Sequence, residues 1–366
     1  MAAFTVGRAR HLAALSDDLR FVADGGYKIR FLVGDWGFGK THLLALYRDA
    51  ALEKGLAVAH VELNARDAPL ERSEVISAAI IRNTVFPDGS TFEDYLRSWA
   101  SVADLRERGE IDRWLREAAP SLEFRALLRE ALASGTAARG WDAVADASRW
   151  LAGGESSPNL IRATGIRGSL KPRIAPEVLT SFLTFLRASG SPGLILMLDE
   201  AEAITSLTTA NRREEANQTL KRLLDNPEQR TGWEVVFATT RRFIDDPLRG
   251  ARSYPALWER IREAGPPGAF NPRATVLELG PLATSELHEL GGHLRDMHAT
   301  AYDWLPQVSI GEIETIGEVT YGDEVSRPPR RFVRAVISAL DLLEADPARR
   351  LPDVLAAVEQ LGREDE

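Results

Sequence analysis

The sequence predicts an α/β fold in which a central parallel sheet of five strands is interrupted by a large helical insertion and followed by a C-terminal helical lid. Three observations support this fold. The opening segment alternates strand, glycine-rich loop, helix and strand, which is typical of parallel sheets. A long helical stretch separates the second strand from the third, and only helical patterns follow Pro281. We therefore expect the sheet core at 1–64 and 190–282, the insertion at 65–189 and the lid at 283–366.

Composition places the chain among ordinary globular proteins. Its 366 residues carry a formal net charge of −9 and 44% of them are hydrophobic, which excludes collagen-like, disordered and membrane-spanning classes. The absence of cysteine excludes disulfides, zinc–thiolate sites and a thiol nucleophile. The N-terminus lacks the apolar segment of a secretory signal, so we expect a cytoplasmic protein with no membrane partner. The net acidity argues against a chain that coats nucleic acid by itself, although it allows a local basic stripe.

The first half of the chain holds two predicted strands and then a series of helices. Apolar strands are expected at 28–33 and 56–63, and a short helix precedes them. Between them lie a glycine-rich loop at 34–39 and an amphipathic helix at 41–53. Helical spacing of apolar residues then recurs over 73–84, 91–107, 110–118, 121–133, 140–152 and 175–189.

One break in this helical series is polar and basic. The segment 153–172 contains Arg162, Arg167 and Lys171, and Arg173 follows it directly. Glycine, serine and proline punctuate the segment, so we expect an exposed loop.

The second half supplies the remaining strands and the lid. Apolar runs predict strands at 194–198, 234–240 and 274–279, and a helix is expected at 254–262. The later apolar spacing predicts helices at 284–299, 309–319, 328–345 and 351–361.

Residues 34–41 match the pattern G-x-x-x-x-G-K-[ST], which is typical of loops that bind nucleotide phosphates. Glycine lets backbone N–H groups approach a polyphosphate closely, and the start of the following helix favours anions. Lys40 is expected to reach the β- and γ-phosphates, and the Thr41 hydroxyl to hold Mg²⁺. His42 fits a packing or solvent-exposed role better than a catalytic one. The residues expected to contact the nucleotide are Gly34, Asp35, Trp36, Gly37, Phe38, Gly39, Lys40, Thr41 and His42.

The apolar strand at 194–198 ends in two carboxylates, Asp199 and Glu200. Nucleoside triphosphatases need a carboxylate near the magnesium shell and a group that polarises the attacking water. We expect Asp199 to take the metal role and Glu200 the base role. Acidic residues also end strands without any function, so the upstream phosphate loop is what makes the pair informative. Glu202 fits a charge at a helix N-terminus.

Polar residues at two other strand ends are candidates for sensing the γ-phosphate. Thr239 and Thr240 end the strand at 234–240, and strand carboxyl ends face the ligand crevice of a parallel sheet. We name Thr240 as the sensor and keep Thr239 as its alternative, since threonine also favours strands for its own sake. Asn64 is a weaker candidate that could hold Glu200 away from water, or could simply start a turn.

Two groups of arginines can complete such a site. Arg260 lies on the helix predicted before the fifth strand and could reach a neighbouring subunit's nucleotide, with Arg262 as the alternative. A solvated charge paired on its own helix is the competing reading. Two prolines fix the start of the helix at 328–345, which aims Arg330 or Arg331, with Arg330 our choice to clamp the phosphates. A basic patch for nucleic acid is the rival reading of that pair.

In this order the motifs resemble those of AAA+ ATPases related to the origin-recognition and Cdc6-like clade. The resemblance is carried by Gly7-Arg8, the phosphate loop, the strand at 194–200, Thr240, and Pro329-Arg330 in the lid. It implies a nucleotide site completed by sensor residues and by an arginine from a neighbouring subunit.

A closer resemblance is to the BREX-type ATP-binding proteins of bacterial phage defence, and it covers most of the chain, insertion and lid included. It implies ATP binding, hydrolysis, and work beside a helicase-like partner. The segments that carry it are 25–44, 72–83, 191–202, 235–246, 253–261 and 327–336.

The function expected from these observations is that of a Mg²⁺-dependent ATPase that remodels or regulates a DNA-associated partner. DNA could be bound directly or through that partner, and self-association would let a finger arginine act. Two alternatives are a switch that binds ATP without turning it over and a Cdc6-like DNA loader. A small-molecule kinase fits the carboxylate pair and the insertion poorly. No guanine-reading motif is visible, so ATP is expected rather than GTP.

Overall fold

The computed structural model describes residues 4–102, 113, 117–134, 141–226, 230–262, 270–322, 327–346 and 348–363. It confirms the α/β fold and shows a mostly parallel central sheet. The strand order is β3-β2-β4-β5-β1-β6. The six strands are β1 (Tyr27–Val33), β2 (Ala57–Glu62), β3 (Thr84–Val85), β4 (Leu194–Asp199), β5 (Trp233–Thr239) and β6 (Val276–Glu278).

The sheet has one strand more than the five predicted. The extra strand, β3, has only two residues and pairs antiparallel with β2, with Val58 opposite Val85. The predicted helix at 73–84 therefore ends earlier, at Arg82. A two-residue strand is too short to show the alternation that identifies strands in a sequence.

The three central strands β2, β4 and β5 run parallel and end together. Glu62 pairs with Asp199, and Leu198 pairs with Phe237. Every residue of β4 and β5 is buried, as their apolar runs predicted. This register places the carboxyl ends of the three strands at one edge of the sheet, where parallel sheets bind ligands.

The helices of the insertion pack around an aromatic cluster. Phe185 has Phe92, Trp99 and Phe124 within ring-contact distance. The predicted stretches at 91–107 and 110–118 lie partly outside the described residues. The first eight helices are α1 (Ala9–Ala23), α2 (Lys40–Glu53), α3 (Ser73–Arg82), α4 (Phe92–Val102), α5 (Leu122–Ser134), α6 (Ala143–Leu151), α7 (Pro158–Thr164) and α8 (Ala175–Ala188).

The prediction of a simple loop over 153–172 was wrong in one part, because α7 lies inside it. Ser157 caps the helix by accepting a hydrogen bond from the Leu160 N–H, and Pro158 occupies its first turn. Gly165 ends it in the left-handed conformation, at φ 76°. The start and stop residues of α7 were thus present in the sequence, but the helix is too short to show an apolar period.

The later helices agree with the predicted lid to within a few residues. A 3-10 helix at Ala201–Ser206 and helix α9 occupy a stretch where no element was predicted. None of the helices in the described part of the chain is long and apolar enough to cross a membrane. The later helices are α9 (Ala210–Asp225), α10 (Arg241–Asp245), α11 (Pro255–Ile261), α12 (Thr284–Tyr302), α13 (Ile310–Tyr321), α14 (Pro329–Ala345) and α15 (Leu351–Arg363).

The chain divides into two compact units. One comprises Met1–Ala13, Val33–Leu46 and Glu278–Glu366, and the other comprises Ala14–Leu32 and Tyr47–Leu277. The first unit contains the phosphate loop and the C-terminal helices. The core between these helices includes the fully buried Phe332. The second contains nearly all of the sheet together with the helical insertion.

Candidate functional site

The phosphate loop follows β1 and depends on glycine at defined positions. Gly37 and Gly39 have φ angles of 80° and 87°, a region that other residues rarely adopt. A Cβ on Gly34 would lie 3.0 Å from Leu279 Cβ and 3.1 Å from the Leu279 carbonyl oxygen. The backbone of the loop is therefore free of side chains where it turns most tightly, which suits close approach by a polyanion.

Lys40 begins α2 and turns its ammonium back over the loop. Its Nζ donates a hydrogen bond to the Gly34 carbonyl oxygen at 2.8 Å and lies 5.6 Å from the centre of the Trp36 ring. Lys40 is only 7% exposed, whereas Trp36 is 63% exposed. Thr41 is exposed on the first turn of α2. One cation, one hydroxyl and a helix start thus share the loop, as the motif predicted.

Arg8 supports the loop from the N-terminal segment. It is buried, and its Nη2 donates to the carbonyl oxygens of Phe38 at 3.2 Å and Gly280 at 2.9 Å. Burial is the main cause that lowers the pKa of Arg8. Because both of its acceptors are backbone carbonyls, Arg8 fixes the shape of the loop.

His42 packs against the N-terminal segment. Its ring lies 5.0 Å from the Phe4 ring, and its Nε2 is hydrogen-bonded to Thr5 Oγ1 at 2.9 Å. Burial lowers the pKa of His42, which favours the neutral ring. These contacts match the packing role considered for it in the sequence.

The structure separates the two lid arginines. The Arg330 backbone N–H donates to the Gly37 carbonyl oxygen at 3.2 Å, and its side chain is exposed. Arg331 instead donates from Nη2 to the Thr320 carbonyl oxygen at 3.0 Å and lies over the Tyr321 ring. Arg330 therefore adjoins the phosphate loop, while Arg331 ties α14 to the end of α13.

The two carboxylates lie in the second unit, at the carboxyl end of β4. Asp199 is 4% exposed, and its Oδ1 accepts a hydrogen bond from the Glu200 N–H at 2.9 Å. Glu200 has φ 58° and ψ 39°, a left-handed conformation that is uncommon for glutamate. Strained backbone of this kind often occurs at functional sites.

His60 is a neighbour of Asp199 that the sequence analysis missed. Its Nε2 lies 3.9 Å from Asp199 Oδ2, on the adjacent strand β2. The sequence offered no pattern to mark it, because the contact depends on the register between β2 and β4.

The candidate sensor residues also differ from one another. Thr240 accepts a hydrogen bond from the Phe243 N–H at 3.4 Å and so caps α10. Thr239 is fully buried, and its hydroxyl has no hydrogen-bond partner among the described residues. Asn64 Oδ1 accepts from the Arg66 and Asp67 N–H groups, which is the turn role that the sequence left open.

The finger candidates lie at the end of α11. The Arg260 side chain falls outside the described residues, so its position stays a prediction. Arg262 follows the helix and is exposed.

Within the part of the chain that the structure describes, a metal ion would need ligands besides carboxylate and imidazole side chains. Within the described ranges, no cluster of three or more histidine, aspartate or glutamate side chains could hold one. Magnesium in nucleotide sites usually takes one or two protein oxygens, with phosphate and water as its other ligands. The buried carboxylate of Asp199 is an oxygen ligand of this kind.

Comparisons with known proteins identify the family of this chain. A family model described as "BREX system ATP-binding protein BrxC/D" matches residues 1–359. No curated protein matches the chain. Among solved structures, the chain is similar to the Aeropyrum pernix ORC2 protein in its ADPNP–ADP complexes, at a TM-score of 0.49 and 16% identity, over 98% of this chain and 68% of that one.

Proposed function

Because the chain belongs to the family of BREX system ATP-binding proteins BrxC/D, we propose that it is a Mg²⁺-dependent ATPase of the AAA+ type. We propose further that it remodels or regulates a DNA-associated partner in bacterial phage defence. The observation that carries the proposal is the Lys40 ammonium, which is held over a glycine loop at the start of a helix. That arrangement favours the triphosphate of ATP.

Binding rests on the loop. In this proposal the Lys40 ammonium leaves the Gly34 carbonyl oxygen and pairs with the β- and γ-phosphates of ATP. The backbone N–H groups at 34–41 bind the remaining phosphate oxygens, and Arg330 approaches them from α14. Trp36 is exposed on the loop and can contact the nucleotide.

Magnesium fits Thr41 and Asp199, which we assign as its protein ligands. When bound, Mg²⁺ supplies charge neutralisation to the phosphate oxygens. The Glu200 N–H bond to Asp199 Oδ1 fixes the rotation of that carboxylate. His60 Nε2 lies 3.9 Å from the other carboxylate oxygen, which is beyond hydrogen-bond distance.

Hydrolysis is assigned to Glu200. Its carboxylate takes a proton from water while the water oxygen attacks the γ-phosphorus of ATP, and the bond between that phosphorus and the leaving oxygen of ADP breaks. Thr240, or Thr239 in its place, positions that water or the γ-phosphate. Arg260 acts from a neighbouring subunit and stabilises the developing charge.

The competing function is a switch that binds ATP and scaffolds a complex without turnover. The Arg330 N–H bond to Gly37 favours it, since that bond gives the loop a direct connection to α14. Glu200→Gln distinguishes the two functions. An ATPase keeps ATP affinity in this variant and loses turnover by about 100-fold or more; a switch shows little change in either quantity.

The partner is the least specified part of the proposal. We propose self-association or a helicase-like partner, with DNA bound directly or through that partner. ATP turnover should be measured alone and with single-stranded or double-stranded DNA. Stimulation by either supports a DNA-linked ATPase. Arg260→Ala should lower turnover only in the assembled protein, and full turnover by a monomer that ignores this change contradicts the finger role.

A further inference from the structure

A cavity lies in the helical insertion, and no residue of the phosphate loop lines it. Its volume is about 450 Å³, which is large enough for a small organic group. Its walls come from α5, from α6 and from the segment after α7, and they include Leu122, Ala126, Trp150 and Ile166. The proposed ATPase activity uses none of these residues.

The rim of this cavity is basic in a chain that is acidic as a whole. Arg167, Lys171 and Arg173 line the cavity and are exposed. The segment 156–176 contains these three residues, Arg162 and no acidic residue. Within the ranges that the structure describes, no carboxylate forms an ion pair with Arg167, Lys171 or Arg173. Three exposed cations that line one cavity and are not held in such ion pairs favour a polyanionic ligand.

The backbone that carries these cations is held in place. The Gly168 carbonyl oxygen accepts hydrogen bonds from Trp150 Nε1 and Ser156 Oγ, both at 2.8 Å. Gly165 and Gly168 adopt the left-handed conformation at φ 76° and 75°. Such a segment loses little conformational freedom when it binds a ligand.

The remaining wall supplies polar groups. Glu123 lines the cavity, where a carboxylate can accept hydrogen bonds from the amino groups of nucleobases. Its Oε2 also accepts a hydrogen bond from Ser121 Oγ at 3.1 Å. Ser169 adds a hydroxyl beside the basic rim.

We propose that this face binds single-stranded nucleic acid, with backbone phosphates on Arg167, Lys171 and Arg173 and one base in the cavity. A repeating polyanion matches the row of cations, and an unstacked base matches the part-apolar cavity. In a duplex the bases are paired and stacked, so a duplex can use only the rim. The proposal does not depend on ATP binding or hydrolysis.

The test is fluorescence anisotropy with a labelled single strand of about 20 nucleotides and the full chain, without ATP or Mg²⁺. The triple variant Arg167→Ala/Lys171→Ala/Arg173→Ala should bind about tenfold more weakly or worse. Three lost phosphate contacts should reduce the slope of log K against log salt by about 2. Circular dichroism melting checks that the variant folds.

A matched control removes the same charge elsewhere. Arg48, Lys54 and Arg249 are exposed and lie outside this face. Arg48→Ala/Lys54→Ala/Arg249→Ala should bind within about twofold of the unaltered chain, because none of these three residues lines the cavity. Equal losses in the two triple variants would mean general charge attraction and would overturn the proposal.

A second variant tests the cavity itself. The unaltered chain should bind a duplex of the same sequence about fivefold more weakly than the single strand. Ala126→Trp fills the cavity from α5 and should remove that preference while the basic rim remains. A duplex that binds as tightly as the single strand, or a preference that survives Ala126→Trp, contradicts the proposal.

Lys40→Ala should leave single-strand binding unchanged, so this result is independent of the ATPase proposal.

Discussion

Lys40 is the residue on which nucleotide binding depends most directly. Lys40→Ala removes the cation from the phosphate loop while the glycine backbone stays intact. We expect ATP affinity to fall about 100-fold, or about 2.7 kcal/mol, because a charge-assisted contact to phosphate is lost. Isothermal titration calorimetry measures the change, with the exposed Lys54→Ala as control. Unchanged ATP binding in Lys40→Ala contradicts the assignment of the loop.

The two threonines at the end of β5, Thr239 and Thr240, can be tested for a structural role and a chemical role separately. Thr240→Ala removes the cap of α10 and should lower stability by about 1 kcal/mol. Thr239→Val keeps the shape of the side chain and removes only the buried hydroxyl. If Thr239 contacts the γ-phosphate, turnover falls about tenfold with little loss of stability.

Urea unfolding and ATP turnover are measured on both variants. If Thr240→Ala lowers turnover far more than its loss of stability can explain, Thr240 is the sensor, as first predicted. Normal turnover in both variants contradicts any sensor role at the end of β5.

Helices and strands with clear periodicity are the elements that the sequence predicts well. The buried runs of β4 and β5 and the amphipathic helices of the lid lie where expected, to within a few residues. Several short or polar elements were missed, among them β3, α7, α9, α10 and the 3-10 helix at Ala201–Ser206. Helix α9 buries only Ala216, Asn217, Leu220 and Leu223 along 16 residues, so its charged sequence hides the apolar stripe.

Two adjacent glycines of α12 can be used to test how closely this helix packs against its neighbours. A Cβ on Gly291 would lie 2.3 Å from Ile313 Cγ2 and 3.1 Å from Phe332 Cζ, whereas a Cβ on Gly292 meets nothing within 4 Å. Alanine gains about 1 kcal/mol over glycine in a helix, but overpacking costs about 1–3 kcal/mol.

Gly291→Ala should therefore destabilise the protein, and Gly292→Ala should stabilise it by about 0.5–1 kcal/mol. Urea unfolding of the two variants measures the difference. If both substitutions stabilise, α12 is not packed as closely as the structure indicates.

For the molecule as a whole, the sequence predicts the candidate site residues but not the contacts around them. The phosphate loop, the carboxylate pair and the family were all predicted, and the family is confirmed. Arg8 and His60 acquire their roles through contacts between distant segments. The difference between Arg330 and Arg331 arises in the same way, since only the fold decides which side chain packs.

Whole-molecule stability should depend on one buried carboxyl group. Glu234 lies on β5 with no exposed surface, and Tyr47 donates its hydroxyl to Glu234 Oε2. Burial, followed by the nearby Asp18 carboxylate, raises the pKa of Glu234 to about 8 from 4.5. The folded state therefore favours the protonated form more than the unfolded state does. The stability that protonated Glu234 contributes is fully present below pH 4.5 and is lost as the pH rises through about 8.

Glu234→Gln keeps the size of the side chain and cannot ionise. Between pH 5 and pH 8, the free energy of unfolding of the unaltered chain should fall by about 2–4 kcal/mol more than that of the variant. Urea unfolding at several pH values measures both curves. Parallel curves for the two proteins would show that folding does not raise the pKa of Glu234.

Both ends of the chain hold the phosphate loop by its carbonyl oxygens, Arg8 at Phe38 and the Arg330 N–H at Gly37. Shortened versions prepared for crystallisation or for inhibitor screening should therefore retain both termini. A fragment trimmed to the sheet and its insertion would keep the complete motif yet lose the two hydrogen bonds that shape it. Inhibitors selected against such a fragment would be fitted to a loop that the intact protein does not present.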